Sequence, residues 1–238
     1  MNTASKNNTL NMRQLFDQET WTHTYLLYDS ENGEGILIDP VKEKVDRDLN
    51  LLKELNVTLK YVLETHVHAD HITGAADLRE KTGAEIYYGE KAGVPCADGL
   101  LADGEELKFG NYAVKALSTP GHTDGCTSYV LENMVFTGDA LFIRGTGRTD
   151  FQQGSSEALY ESINSKLFTL PEDTLVYPGH DYKGMWVSTI GEEKQHNPRV
   201  GGGKTLKEFI EIMDNLNLAN PKKLDISVPA NLKCGQTT

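Results

Sequence analysis

Cysteine is scarce in this chain and badly spaced for metal work. Cys96, Cys126 and Cys234 form no CxxC pair and no zinc-finger spacing. Zinc-finger and redox-dithiol readings are excluded, and an odd count with wide separation predicts free thiols in a reducing compartment. Cys126 lies four residues after His122 and is read as a small buried hydrophobe, with pocket lining as the alternative. Long apolar runs are also missing, so no membrane span is expected. The polar segment Met1–Asn11 has no apolar core of a secretory signal, and a cytoplasmic location is expected. Basic residues are outnumbered, 23 Lys and Arg against 35 Asp and Glu, for a net charge of -12. That balance argues against nucleic acid as a partner and leaves room for a small anion held by a few local cations.

What the chain does have is length and regular patterning. Its 238 residues suffice for one domain, expected over residues 12–238 behind a disordered or frayed tail at 1–11. Thr24–Tyr28 and Gly35–Asp39 read as strands joined by a turn at Asn32-Gly33. Val45–Leu55 has helical spacing, Tyr61–Leu63 is a buried strand, and Thr73–Thr82 is a helix stopped by Gly83. Strands follow at Ala84–Tyr88, Tyr112–Leu117, Ser128–Leu131, Met134–Phe136 and Thr174–Tyr177. Helices are expected over Ser156–Phe168 and from a capping box at Thr205–Glu208. Mixed strands and helices give an α/β class protein.

The chemistry is concentrated in histidine. Thr65-His66-Val67-His68-Ala69-Asp70-His71 follows the Tyr61 strand, and Gly121-His122, Gly138-Asp139 and Gly179-His180 come later. Five of the seven histidines sit in these motifs, each beside a carboxylate or at the end of a strand. Imidazole and carboxylate are the ligands of divalent transition metals where thiolate is absent. His66 and His68 are two apart and point the same way in extended chain. One metal needs three or four of these groups; two metals use nearly all, with Asp139 as a bridge. His23 and His196 fall outside the motifs and take no role.

The ordered set T-H-x-H-x-D-H, G-H, G-D, G-H, running from about Thr24 to His180, resembles the metallo-β-lactamase superfamily. That resemblance implies an αββα sandwich, two mixed β-sheets flanked by helices. The stretch Thr137–Gly154, the run Tyr177–Tyr182 and the tail from Met213 through Val228-Pro229-Ala230-Asn231 resemble the persulfide dioxygenases, the ethylmalonic encephalopathy protein family. The finer resemblance implies one Fe(II) per chain held by His66, His122 and Asp139, the two-histidine, one-carboxylate arrangement. It implies oxidation of glutathione persulfide by O2 to sulfite and glutathione, and a homodimer. His68, Asp70, His71 and His180 then orient the ligands or form a second metal site that stays empty.

Glutathione carries two carboxylates, which makes Arg144, Arg148 and Lys183 candidates for binding it, with Tyr182 reaching the pocket through its hydroxyl. Arg148 has a second reading, as a pin on its own loop through Asp150. Thr137 is expected to fix the Asp139 turn by a hydroxyl–backbone bond, and Asp181 to orient a loop or a histidine. The alternative function is a glyoxalase II-type thiolester hydrolase with two metals and a bridging hydroxide. The run Gly145–Phe151 departs from that family, and residues 181–238 are short for its helical C-terminal domain. A non-catalytic persulfide or metal carrier and a nuclease are weaker still, since all the ligands are present and a basic stripe is absent.

Overall fold

A computed structural model describes residues 9–219 and 223–236. Strands β1 (Leu10–Asp17), β2 (Thr22–Asp29), β3 (Glu34–Ile38), β4 (Thr58–Leu63), β5 (Glu85–Gly89) and β6 (Gly99–Leu101) form one sheet in that order. Strands β7 (Glu106–Phe109), β8 (Tyr112–Ser118), β9 (Thr127–Leu131), β10 (Met134–Gly138), β11 (Leu175–Pro178) and β12 (Ser188–Thr189) form the second, also in chain order. Both sheets are mixed. The β3–β4, β4–β5, β5–β6 and β10–β11 pairs are parallel and the remaining pairs antiparallel.

Strand alternation builds the layers. On β2, Tyr25 and Leu27 face the space between the sheets, where they meet Phe136 and Tyr177, while Leu26 and Tyr28 face outward. The outward face is covered by α1 (Val45–Glu54) and α2 (Ala75–Thr82) through Val45, Leu52 and Leu78. On the second sheet Val135 and Val176 face outward and are covered by α3 (Ser156–Ser165), α4 (Ile190–His196) and α5 (Leu206–Asp214). The result is the αββα sandwich expected from the sequence. The last helix, α6 (Leu224–Asn231), packs with the first sheet's helical layer through Val228, and Cys234 in the turn after it joins the same cluster.

Three readings change. Leu10 and Asn11, assigned to the tail, begin β1 and pair with Asp29 and Tyr28; residues 1–8 lie outside the described residues. The helix expected to reach Phe168 ends at Ser165, and a 3-10 turn over Leu167–Thr169 follows it. The cysteines are not all free: Cys96 and Cys234 form a disulfide, and Cys126 alone is a free, buried thiol. The inference of a reducing compartment from unpaired cysteines therefore loses its basis. Among the described residues no helix is long and apolar enough to cross a membrane.

Candidate metal centre

Four strand ends deliver the motif residues to one edge of the sandwich, the place where α/β sheets commonly bind ligands. His66, His68, Asp70 and His71 follow β4; His122 lies between β8 and β9; Asp139 follows β10; His180 follows β11. All but Asp70 are buried by residue exposure or nearly so.

Each histidine of the centre has one ring nitrogen committed to the fold. Asp39, at the end of β3, accepts from the Thr65 backbone N–H and from the Thr65 hydroxyl, both at 2.7 Å. The hydroxyl proton being spent, Thr65 Oγ1 accepts from His66 Nδ1 at 3.0 Å. His122 Nδ1 donates to the Arg148 carbonyl at 2.7 Å, and His180 Nδ1 to the Trp21 carbonyl at 3.1 Å. Fixing Nδ1–H this way leaves Nε2 of each ring as a lone-pair donor, the arrangement metal-binding histidines require. Burial, reinforced by His68 and His122, holds His66 well below the usual imidazole range, so its lone pair is available.

The donor atoms of His66, His122 and Asp139 lie within 4.8 Å of one another. His122 Nε2 is 3.5 Å from Asp139 Oδ2, and His180 Nε2 is 3.6 Å from Asp139 Oδ1. Ligands at about 2.1 Å from an ion and at right angles lie about 3 Å apart, so the spacing suits a shared cation. Asp139 Oδ1 is buried without a hydrogen-bond partner among the described residues, an orphan that a cation would satisfy. These residues fit the metal that the resemblance implies. Gly147 closes the far side: a Cβ there would sit 2.3 Å from the Asp139 carbonyl oxygen and 2.9 Å from the His122 ring. Thr137 donates to the Leu141 carbonyl at 2.6 Å and sets the Asp139 turn.

A second group, His68, Asp70 and His180, also lies within 4.8 Å. Burial opposes charge on Asp70, yet His71 and His180 hold it well below the usual carboxylate range. His71 Nδ1 lies 3.0 Å from Asp70 Oδ2, and its Nε2 is buried and unpartnered among the described residues. His68 is drawn elsewhere. Its Nε2 is 3.1 Å from Asp39 and 3.3 Å from Glu64, both carboxylates fully buried. Burial opposes its charge, but Asp39 and Glu64 raise His68 well above the ordinary value. Glu64 itself is pushed up to about 7 by burial.

A cavity of about 450 Å³ opens from the centre, a size suited to a tripeptide-scale ligand. Arg144, Arg148, Lys183 and Arg199 line it with Phe142 and Tyr182. Arg144 is engaged by Glu193 and, at 2.7 Å, by Glu192. Arg148 makes a two-pronged pair with Asp150 at 2.6 and 2.7 Å, donates to the Ala219 carbonyl and covers the Phe151 ring. That pair is the pin offered as the second reading of Arg148. Lys183 is exposed, and Tyr182 stacks on His180 with 5.9 Å between centroids. Asp181 accepts from the backbone of Lys183 and Met185 and shapes the rim.

Arg199 was not singled out in the sequence. It is half-buried, donates to the Thr146 carbonyl at 2.5 Å, and has no carboxylate partner among the described residues. No motif marks it, since it lies in the unremarkable run Asn197–Val200. Asp39 and Glu64 carried a signal that was passed over: each is a charged residue ending an apolar strand.

Comparison with known proteins agrees with this fold. The profile of the metallo-beta-lactamase superfamily matches residues 21–180. The mouse protein named "Persulfide dioxygenase ETHE1, mitochondrial" is 49% identical over 230 residues, covering 95% of this chain and 89% of that protein. The crystal structure of ETHE1 from Myxococcus xanthus superposes with a TM-score of 0.93 at 54% identity, covering 95% of this chain and all of that one. Glyoxylase B2 of Dictyostelium discoideum is 33% identical over 241 residues, covering 89% of this chain and 80% of that protein.

Proposed function

Because the chain belongs to the metallo-beta-lactamase superfamily, and within it to the persulfide dioxygenases, a family of oxidoreductases, we propose that it oxidises glutathione persulfide at one Fe(II) held by His66, His122 and Asp139. One persulfide, one O2 and one water give glutathione, sulfite and two protons. Iron in that position would supply redox activation of O2 beside the persulfide sulfur.

The protein's own residues provide the rest. Asp39, through Thr65, aims His66, and the Arg148 carbonyl aims His122. Arg199 is the arginine with bonding capacity left for a glutathione carboxylate, whereas Arg144 and Arg148 are already engaged by acidic partners. Their part in substrate binding is to shape the cavity wall. Tyr182 and Lys183 flank the mouth, where the hydroxyl and ammonium reach the peptide.

The likeness to the persulfide dioxygenases, 49% identical over 95% of this chain, favours one metal over the two of the hydrolase reading. His68 does not separate them: with Nε2 between Asp39 and Glu64, its Nδ1 is buried without a partner among the described residues and stays open to an ion at Asp70 and His180. The second reading, a two-metal thiolester hydrolase, rests on that His68–Asp70–His180 group and on the distant likeness to Glyoxylase B2. Metal analysis of protein loaded anaerobically with Fe(II) separates them. One iron per chain supports the dioxygenase; two tightly held irons support the hydrolase. A homodimer and a cytoplasmic location complete the proposal. Light scattering and cell fractionation test them, the latter needed because the mouse relative is named mitochondrial.

A further inference from the structure

The C-terminal helix contributes no metal donor, yet its end grips the loop that carries several of them. Asn231, the last residue of α6, is fully buried. Its Nδ2 donates to the His68 carbonyl at 2.9 Å and to the His71 carbonyl at 2.8 Å. Its Oδ1 accepts from the Thr73 backbone N–H at 2.9 Å. Two donors and an acceptor on one short side chain is a demand that an amide meets; aspartate lacks the donors and leucine lacks all three. The turn after the helix adds two contacts. Ala76 N–H donates to the Cys234 carbonyl at 3.0 Å, and Gly235 lies so close that a Cβ would fall 2.0 Å from the Thr73 oxygen.

This grip is clamped from outside. Cys234 donates its backbone N–H to the Asn231 carbonyl at 2.9 Å, and its sulfur is bonded to Cys96, 138 residues away in the segment that follows β5. Loop, helix end and disulfide form one contiguous block.

We propose that Asn231 is a positioning residue for the metal-binding loop and that the Cys96–Cys234 disulfide holds it there, so that the order of residues 66–73 depends on the redox state of this pair. The brace acts on the loop's backbone and is the same for one bound metal or two.

Reduction by a small dithiol such as dithiothreitol enters at Cys96, which is half-buried, rather than at the fully buried Cys234. The reductant's thiolate attacks Cys96 Sγ, the S–S bond breaks, and Cys234 leaves as a thiolate that takes up a proton. The second thiol of the reductant then displaces Cys96, leaving two protein thiols and a cyclic disulfide. Two electrons and two protons enter the protein.

Amide hydrogen exchange on the metal-free protein, oxidised and reduced, tests this, with mass analysis after alkylation to verify the thiol count. The expected result is exchange about tenfold faster over residues 66–73 on reduction, with β2 and β10 unchanged. Cys96→Ser should match the reduced form without reductant, and Asn231→Ala should exchange fast in both states. In the iron-loaded protein the same changes should speed metal release and lower kcat, with a smaller effect on KM, because Ala69 and Asp70 of the loop line the cavity while the wall formed by Arg144, Arg148 and Arg199 is untouched. Equal protection of 66–73 in fully reduced and oxidised protein would overturn the proposal, as would a uniform rise in exchange across both sheets. If Asn231→Ala fails to fold, wild-type reduction and Cys96→Ser decide. The exchange readout stands whether or not the protein oxidises persulfides.

Discussion

Asp39 and Thr65 are joined twice, through the backbone N–H and through the hydroxyl, each at 2.7 Å. The second bond dictates that the Thr65 oxygen accepts from His66, which in turn turns the His66 Nε2 lone pair to the centre. Thr65→Val keeps the shape and removes the relay. We expect its iron affinity to fall about 10- to 100-fold, measured by competition with a chelator, with the fold intact. Unchanged affinity would show that His66 is aimed by packing alone.

Asp139 supplies the sole carboxylate of the three-residue group. Asp139→Ala should lose stoichiometric iron, since two neutral imidazoles remain. Metal analysis after desalting checks this, and iron retained at wild-type levels would move the site elsewhere.

Arg199 and Arg148 separate binding from positioning. Arg199→Ala should raise KM for glutathione persulfide about 10- to 100-fold with little change in kcat, the loss of a charge-assisted hydrogen bond of about 1.5–3 kcal/mol. Arg148→Ala frees Asp150 and loosens the loop whose carbonyl holds His122. Its expected defect is in kcat and iron retention, not the KM effect that a substrate contact would give. Steady-state kinetics of the two variants side by side decide the assignment.

His23 sets a pH limit on stability. Both its ring nitrogens are buried without partners among the described residues, and it packs against Phe16 and Trp186. Burial lowers it to about 4, with repulsion from His180 adding to this and Asp181 opposing it. A base depressed in the folded state favours unfolding once the unfolded chain protonates. Stability is therefore intact above about pH 6.5 and falls as pH drops toward 4, by at most on the order of 3 kcal/mol. His23→Phe should flatten that slope in melting curves of the metal-free protein. An unchanged slope would assign the loss to other groups.

The contiguous part of the centre was legible in the sequence, because His66 to His71 carry their chemistry within one loop. His122, Asp139 and His180 were legible because each follows glycine at a strand end. Arg199 and the bonding role of Asn231 were not, since each acts through contacts made only when distant segments meet, and Asp39 and Glu64 showed only as charged residues ending apolar strands. Asn231 reaches His68 from 163 positions away. The Cys96–Cys234 pair is hidden for the same reason: a separation of 138 residues predicts nothing about proximity. Among the strands, β6 and β12 span three and two residues and offer no alternation to read. Strand β1 was missed because the polar N-terminus masked where its pairing with β2 begins.

The most direct measurement is dissolved O2 on mixing Fe(II)-loaded protein with glutathione persulfide, with S-lactoylglutathione as the comparison. The account predicts one O2 consumed per sulfite formed with the persulfide, and neither O2 uptake nor cleavage with the thiolester. Thiolester cleavage without O2 uptake would contradict it and make the protein a hydrolase.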